Sequence, residues 1–372
     1  MDPVTTSQDA AVPNAAPQST AQRVAARYGR FARYDVAGYS PVYEAWARAV
    51  EDTPEVAARI AGLPEAKRQP NLVFAAVRVV GGDGDRSTAS SLDTGFFLDT
   101  VRNHWDAVER IVRTRSTQTN EAARCGVLLP FLARIARQED RPLALLEVGH
   151  SAGVCLHPDQ YAYRYSVAGR TPAAGPISPV PGPSKRPDGP SRVHLTTDLR
   201  GDLRGLPPVP ASVPEIAWRG GIDLNPLDPT DPDDRAWLRT LVWPEHTDRR
   251  RRLDAALDVA AVGIDTGQVD VRTGDLLEEL PAMLQRIPDG IVPVVLHSAV
   301  LAYVPGDRRA AFVDDMRTRV AAGELHWISN EGVKVVDHPG RPDLVTPEFL
   351  LAVDGVPQAF AHQHGAYLRS LS

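Results

Sequence analysis

Hydrophobic positions recur every three or four residues over the first third of the chain. Four apolar side chains of residues 42–50 fall on one helical face, and Pro54 starts another helix because a first turn tolerates proline. Residues 96–115 are amphipathic, and residues 122–138 are apolar nearly all round, which is typical of a buried helix. The pattern predicts a mainly helical region over residues 21–138.

The pattern changes after Arg141. Residues 142–148 form a continuous apolar run, as expected for a strand that is buried on both faces. Helical segments separate the later strand candidates, and this alternation predicts a parallel sheet. The strand candidates are 215–224, 267–275, 290–300 and 323–332, and the helical segments are 233–243, 244–262 and 307–322. The expected fold class is α/β, with a mainly parallel sheet after a helical N-terminal region.

Composition along the chain suggests three regions. Residues 1–20 lack periodicity and predict a disordered tail. The helical region spans 21–138 and the α/β domain spans 139–372. A proline-rich stretch at 166–192 predicts a long surface loop inserted into that domain. An additional strand candidate, 192–202, follows it.

Charge and cysteine content narrow the function classes. The net charge is −6, with 47 acidic against 41 basic residues, which argues against a general nucleic-acid binder. No apolar run is long enough to cross a membrane. Cys125 and Cys155 cannot build a disulfide framework and suit a reducing compartment. The expectation is a cytoplasmic protein with a small-molecule substrate and neither a nucleic-acid nor a membrane partner; a homodimer stays open.

The stretch from Glu147 to Gly153 carries the most information. An apolar strand runs into Gly-His-Ser-Ala-Gly, and a glycine turn at the carboxyl end of a strand lets backbone amides approach a ligand closely. Class I methyltransferases carry a strand, an acid and then G-x-G-x-G. Here Glu147 takes the place of the acid, Gly149 and Gly153 those of the first and third glycines, and Ser151 replaces the middle one.

Later segments supply the remaining parts of such a cofactor site in the expected order. Asp223, followed by Asn225, ends the second strand, where an acid binds the ribose hydroxyls. Asp275 follows the third strand, near the expected adenine position. His297 ends the fourth strand, which should face the substrate. The predicted cofactor is S-adenosylmethionine.

The same five residues also fit a different chemistry. Gly149-His150-Ser151-Ala152-Gly153 is a literal G-x-S-x-G, which would make Ser151 the nucleophile of an α/β hydrolase. Such a hydrolase needs an acid and a histidine later in the chain, and the candidates are Asp275, His297, His326, His338 and His362. The hydrolase hypothesis explains only one of the elements above and leaves Glu147 without a role. We therefore favour the cofactor site, while a serine hydrolase, a non-methylating enzyme and a non-catalytic binding protein stay open.

Candidate roles follow from these positions. The catalytic base is predicted to be His297, together with His246 or Glu331, because imidazole accepts a proton near neutral pH. The predicted cofactor-binding residues are Glu147, Gly149, Ser151, Gly153, Asp223, Asn225, Asp275 and His297. The predicted substrate-binding residues are Asn120, Glu121, Tyr163, Trp243, Tyr303 and Asn330. No metal site is predicted, since His362 and His364 lack further spaced ligands.

Six blocks of sequence together resemble one bacterial family. They are TNEAAR (119–124), LLEVGHSAG (145–153), DQYAYRY (159–165), the long block 218–249, HSAVLAY (297–303) and HWISNEG (326–332). In these blocks the chain resembles domain-of-unknown-function family 2332, over about residues 25–370. The resemblance implies a methyltransferase-like Rossmann fold after a helical N-terminal region, and it brings no established reaction or substrate.

Overall fold

The computed structural model describes residues 19–82, 92–167, 192–344 and 346–371. Residues 1–18 of the predicted tail and residues 168–191 of the predicted proline-rich insertion lie outside the described residues. The chain divides into two compact units. One comprises the described part of Met1–Thr117 with Trp243–Glu245, and the other comprises the described parts of Gln118–Val242 and His246–Ser372.

The first unit is helical. Its α-helices are α1 (Thr20–Arg30), α2 (Pro41–Asp52), α3 (Pro54–Ala61), α4 (Pro70–Val80), α5 (Thr94–Asn103) and α6 (Trp105–Thr114). A π-helical turn, Phe31–Asp35, follows α1. The helix pair α2 and α3 confirms the predicted restart at Pro54. The single helix predicted over 96–115 is wrong, because the backbone leaves the helical region at His104 and so separates α5 from α6.

Phe74 on α4 lies at the centre of the aromatic core of this unit. Its ring meets those of Tyr43, Trp46 and Phe97 edge-on, with centroids 5.0–5.5 Å apart. Such edge-to-face pairs stabilise a core beyond the area that they bury. The aromatic residues therefore hold the helices of this unit together around one point.

The second unit contains the sheet. Its α-helices are α7 (Arg124–Glu139), α8 (Pro232–Leu241), α9 (Thr247–Asp265), α10 (Leu276–Leu284) and α11 (Gly306–Ala321). Its strands are β1 (Leu143–Val148), β2 (Ala162–Val167), β3 (His194–Arg200), β4 (Ile216–Asp223), β5 (Val269–Thr273), β6 (Val292–Ser298), β7 (His326–Gly332), β8 (Phe349–Val353), β9 (Val356–Ala361) and β10 (Tyr367–Ser370). Helix α7 belongs to this unit, whereas the sequence placed a boundary after residue 138.

One sheet of ten described strands has the order β2-β3-β10-β9-β8-β7-β6-β1-β4-β5. The strands β5, β4, β1, β6 and β7 are mutually parallel, which confirms the five strands predicted from the alternation with helices. The strands β8, β9 and β10 add antiparallel pairings that the sequence analysis did not predict. The fold is thus mixed α/β with a large, mostly parallel sheet.

The sheet grows in two opposite directions from β1. After β1 the chain adds β4 and β5 on one side of it and later β6 and β7 on the other side. The connections diverge at such a point and leave a crevice outside the carboxyl ends of the strands. The loops after β1, β4, β6 and β7 meet at this edge, which we call the carboxyl edge.

Two further observations complete the description. None of the helices in the described ranges is both long and apolar enough to cross a bilayer. Cys125 and Cys155 are both buried and are not joined to each other by a disulfide.

Candidate functional site

The loop Gly149–Gly153 leaves β1 in an unusual backbone conformation. Gly149, Ser151 and Gly153 have φ values of 75°, 52° and 71°. Glycine adopts the left-handed backbone region without strain. A residue that has a side chain is destabilised in this region. A Cβ atom on Gly149 would lie 2.3 Å from the Val300 side chain, so the close approach of these two segments also requires glycine.

Asp223, at the end of β4, holds this loop in place. Its Oδ2 accepts a hydrogen bond from the Ser151 amide at 2.8 Å, and its Oδ1 accepts one from the Asn225 amide at 2.8 Å. The structure thus brings together the glycine loop and the second-strand acid that the sequence analysis assigned to one cofactor site.

The Ser151 hydroxyl lies between two amide side chains. It accepts a hydrogen bond from Asn120 Nδ2 at 2.8 Å and donates one to Gln118 Oε1 at 2.6 Å. Asn120 Oδ1 also accepts a hydrogen bond from the Ala152 amide at 3.1 Å. Among the hydrogen bonds of the described residues, none joins this hydroxyl to a histidine. Gln118 was not predicted from the sequence, although it lies just before the predicted substrate-binding residues Asn120 and Glu121.

His297 and Glu331 form a buried pair. Glu331 Oε1 lies 2.9 Å from His297 Nδ1 and accepts hydrogen bonds from the amides of Val300 and Leu301 at 3.0 and 3.1 Å. Trp327 Nε1 donates to His297 Nε2 at 3.0 Å. Because Nε2 accepts, the proton of the neutral ring sits on Nδ1 and is donated to the carboxylate. The pair therefore holds the segment after β6, and both ring nitrogens of His297 are engaged inside the protein.

Asn330 lies at the carboxyl edge beside β6. It is fully buried, and its Nδ2 donates to Ser298 Oγ at 2.9 Å. Its Oδ1 finds no hydrogen-bond partner among the described residues. Since a buried acceptor without a donor costs free energy, this oxygen is a candidate ligand contact.

Glu147 on β1 is buried in the core. Burial raises the pKa of its carboxyl well above the usual range, the Cys155 thiol adds to this effect, and Arg124 opposes it. Its Oε2 has no hydrogen-bond partner within the described ranges. This environment favours the protonated, neutral form of Glu147.

Glu121 is a buried acid that pairs with two arginines. Burial raises the pKa of its carboxyl, but attraction to Arg249 and Arg252 outweighs this effect, so the pKa is lowered. Both arginines come from the first turns of α9 and pair with the carboxylate at 2.9 Å. His246 immediately precedes α9, and its carbonyl accepts a hydrogen bond from the Arg250 amide at 3.0 Å.

A cavity of about 160 Å³ opens beside the glycine loop. Its walls come from the loop after β1, the segment after β4, strand β5 and helix α9. They are His150, Ala152, Gly153, His157, Pro226, Leu227, Asp228, Pro229, Ala260, Ile264, Val269 and Val271. Cavities of this size accommodate one aromatic ring.

His150 contributes a polar group to this mostly apolar cavity. It is buried against Gly221 of β4, and neither ring nitrogen has a hydrogen-bond partner among the described residues. Burial lowers the pKa of His150 to about 4, although Asp223 opposes the shift. The ring is therefore neutral at pH 7 and offers one donor and one acceptor. The sequence analysis treated His150 only as a spacer within the motif.

Four predicted residues lie in other surroundings. Asp275 caps α10 by accepting from the Leu277 amide, and it pairs with Arg308. The hydroxyl of Tyr163, in the core, donates to the Pro158 carbonyl at 2.6 Å. Trp243 belongs to the helical unit and donates to Asn71 Oδ1 at 3.1 Å. Tyr303 is 79% exposed after β6. Among the described residues, no hydrogen bond or ion pair joins Asp275, Tyr163 or Tyr303 to the glycine loop.

Metal binding finds no support in the described part of the chain, where no group of three or more His, Cys, Asp or Glu side chains is placed to hold an ion.

Fold and site together define an α/β protein whose buried polar residues gather at the carboxyl edge of a mostly parallel sheet. The chain belongs to the family described as "Uncharacterized protein conserved in bacteria (DUF2332)", whose model matches residues 25–369. The resemblance seen in the sequence is thereby confirmed. No curated protein and no solved structure is significantly similar to this chain.

Proposed function

We propose that the protein is a methyltransferase-like enzyme that binds S-adenosylmethionine at the carboxyl edge and acts on a small molecule. The strand order supports this proposal. Numbered along the chain, the parallel strands β5-β4-β1-β6-β7 follow the order 3-2-1-4-5 of the Rossmann sheet, whose ligands bind outside the carboxyl ends at the point of reversal. The antiparallel strands beyond β7 leave the order of these five parallel strands unchanged.

The contact between the Ser151 amide and the Asp223 carboxylate carries the proposal. It joins the glycine loop after the first strand to the acid that ends the second, which are the two elements that the cofactor pattern requires side by side. The cavity opens at this junction and continues along β5. A nucleoside bound here would therefore contact the glycine loop, Asp223 and strand β5 together.

The lining of the cavity fits the adenine ring better than a charged group. Aliphatic side chains such as Leu227, Ile264 and Val271 form much of its wall, while His150 offers hydrogen bonds in a neutral state. In this proposal the adenine enters the cavity with one of its two rings, His150 contacts its ring nitrogens and Asp223 lies near the ribose. Both oxygens of Asp223 already accept backbone hydrogen bonds, so a ribose hydroxyl would share them.

The chemistry divides between the bound group and the protein. S-adenosylmethionine supplies an electrophilic methyl group, and the protein orients the acceptor and keeps water away. Of the predicted bases, His246 is the one we retain, because it precedes α9 at the carboxyl edge. His297 and Glu331 would then position the segment Val300–Leu301 instead. We also place the enzyme in the cytoplasm, where buried thiols such as Cys125 and Cys155 stay reduced.

Calorimetric titration with S-adenosylmethionine and S-adenosylhomocysteine tests the proposal. Binding of either is expected, and failure of both to bind at millimolar concentration would overturn it. Ala260→Leu fills the cavity from α9 and should weaken binding by about tenfold or more, since a buried clash costs at least ~1.4 kcal/mol. Ala261→Leu makes the same change on the same helix outside the lining and should bind as the wild type does.

Two outcomes would favour the competing hypotheses. Covalent labelling by a fluorophosphonate probe that Ser151→Ala abolishes would point to a serine hydrolase. Tight cofactor binding with no methyl transfer to any small-molecule acceptor would point to a non-catalytic binding protein of the same fold. Labelling of Ser151 is not expected, because its hydroxyl is held by two amides rather than by an imidazole.

A further inference from the structure

Two arginines pair with the buried carboxylate of Glu121, and a third arginine lies near one of them. Arg249 Nε lies 2.9 Å from Glu121 Oε2, and Arg252 Nε donates to Glu121 Oε1 at 2.9 Å. The third arginine is Arg124. Burial lowers the pKa of Arg249, Glu121 raises it, and Arg124 is close enough to lower it further. We call Arg124, Arg249 and Arg252 the arginine cluster.

Arg124 has no carboxylate partner in these hydrogen bonds. Its Nη1 donates to the Ser298 carbonyl at 3.1 Å and its Nε to the Gln363 carbonyl at 3.0 Å, and both acceptors are neutral. The nearby acid, Glu147, is held in an environment that favours its neutral form. Among the ion pairs of the described residues, the arginine cluster has one carboxylate partner, that of Glu121, for its three guanidinium groups, and this leaves an excess of positive charge.

His364 does not add to this excess. Burial lowers the pKa of His364 to about 2, with Arg249 and Arg124 adding to the shift, so the ring is neutral at pH 7. Its Nδ1 has no hydrogen-bond partner among the described residues. A neutral imidazole beside two arginines is a further donor for an anion.

The arginine cluster reaches solvent at the carboxyl edge. The side chains of Arg249 and Arg252 are 16% and 26% exposed, so an ion can approach without unfolding the site. Arg124 anchors the cluster to Ser298, at the end of β6, whereas the cavity lies on the β4 and β5 side of β1. The two features share no residues.

We propose that the arginine cluster binds the carboxylate or phosphate group of an acidic small-molecule substrate. Guanidinium groups hold such anions through paired, charge-assisted hydrogen bonds. A buried excess of charge is costly until it is compensated, so the site gains from an anion more than an exposed arginine does. That the anion is a substrate rests on the proposed function, whereas anion binding itself does not.

Titration with inorganic phosphate and with sodium succinate, at constant ionic strength set with chloride, tests the proposal and separates the two anion types. Arg249→Gln and Arg252→Gln should each weaken binding by about tenfold, the loss expected for one charge-assisted hydrogen bond. Arg251→Gln is the matched control, because Arg251 lies on the same helix, is 78% exposed and pairs with Asp248. An equal loss in all three variants would mean only a general effect of net charge and would overturn the proposal.

Glu121→Gln should change the anion affinity in the opposite direction from the arginine variants. It removes the ionised carboxylate that competes with the ligand and should tighten phosphate or succinate binding, whereas a purely structural cluster would show no gain. Arg249→Lys keeps the charge and should bind more tightly than Arg249→Gln, even if both variants are less stable. Absence of wild-type binding to both anions at tens of millimolar would refute the site.

Parallel titration with S-adenosylmethionine separates the two proposals. Cofactor binding that survives in Arg249→Gln while anion binding falls supports both. Anion binding by a protein that ignores the cofactor supports the arginine cluster and removes only the proposed function.

Discussion

The Ser151 amide and the Asp223 carboxylate lie 2.8 Å apart, although 72 residues separate them in the chain. Ser151 has a left-handed backbone, a conformation that a serine adopts only when its surroundings compensate the cost. The hydrogen bond from β4 supplies part of that compensation. A ligand contact at Asp223 would therefore be transmitted directly to the loop after β1.

Asp223→Ala should loosen this loop. The variant loses the acceptors of two backbone amides, Ser151 and Asn225, and should cost about 1–3 kcal/mol of unfolding free energy. Hydrogen exchange in the peptide that covers 149–153 should speed up. Asp231→Ala is the control, because Asp231 also accepts from two backbone amides, at the start of α8. If both variants left exchange in this peptide unchanged, the link between β4 and the loop would be refuted.

Gly149→Ala should be destabilising for two separable reasons. The left-handed backbone costs roughly 1–2 kcal/mol with any side chain. The new Cβ would also lie 2.3 Å from the Val300 side chain, an overpacking that adds about 1–3 kcal/mol. Urea unfolding of Gly149→Ala and of the double variant with Val300→Ala measures each part.

The double variant should recover the overpacking part only, so the two changes should be non-additive. Gly153→Ala is a useful comparison, since its φ is also left-handed but its nearest contact, with Leu156, is a milder 3.3 Å. Simple additivity of Gly149→Ala and Val300→Ala would show that these residues do not meet.

Glu331→Gln should destabilise the fold rather than alter chemistry alone. Oε1 of the carboxylate accepts all three hydrogen bonds, from His297 and from the amides of Val300 and Leu301, and the neutral oxygen of a glutamine in its place accepts each of them less strongly. The expected loss is about 2–4 kcal/mol, measured by urea unfolding. His297→Gln should likewise lower stability and change the near-ultraviolet signal of Trp327, whose indole donates to it.

If His297 has a catalytic role, a different result is expected. Loss of turnover in His297→Gln at unchanged stability, with a changed pH–rate profile, would restore His297 as the base. The sequence could not distinguish the two roles, because the bond that engages its second nitrogen comes from Trp327 on the neighbouring strand. Side-chain pairing across strands depends on register, which no local pattern reveals.

The strands β1 and β6 at the centre of the parallel half of the sheet were predictable because each is a short, mainly apolar run. Pattern and burial agree there, as in β1, where all six residues are buried. The ambiguity of short apolar runs is visible in residues 70–80, which form the helix α4. Most of these residues are buried, so a helix periodicity is hidden.

The antiparallel strands β8 and β9 carried a signal that the sequence analysis missed. Two apolar runs flank Asp354-Gly355, and both residues have a left-handed backbone, with φ values of 53° and 80°. An Asp-Gly pair between such runs is a strong hairpin indication. The contact of Gln118 with Ser151, by contrast, had no local signal, since it joins a polar connecting segment to a distant loop.

His326 should make the stability of this hairpin depend on pH. Its Nδ1 lies 2.8 Å from Asp354 Oδ2, and its Nε2 lies 3.3 Å from Glu139 Oε1. The hydrogen bond with Asp354 raises the pKa of His326, partial burial opposes it, and Glu139 adds to the rise. The folded state therefore holds the proton more tightly than the unfolded chain, whose histidine titrates near about 6.5.

The resulting stabilisation is complete below about pH 6.5 and is lost as the pH rises through the higher folded pKa of His326. Urea unfolding of the wild type and of His326→Gln at pH 6 and pH 9 measures it. Because the pair is partly exposed, the difference between the two proteins should be at most about 1 kcal/mol at pH 6 and smaller at pH 9. If the difference in unfolding free energy between the two proteins grew with pH, the folded state would favour the neutral imidazole of His326 and not its ion pair.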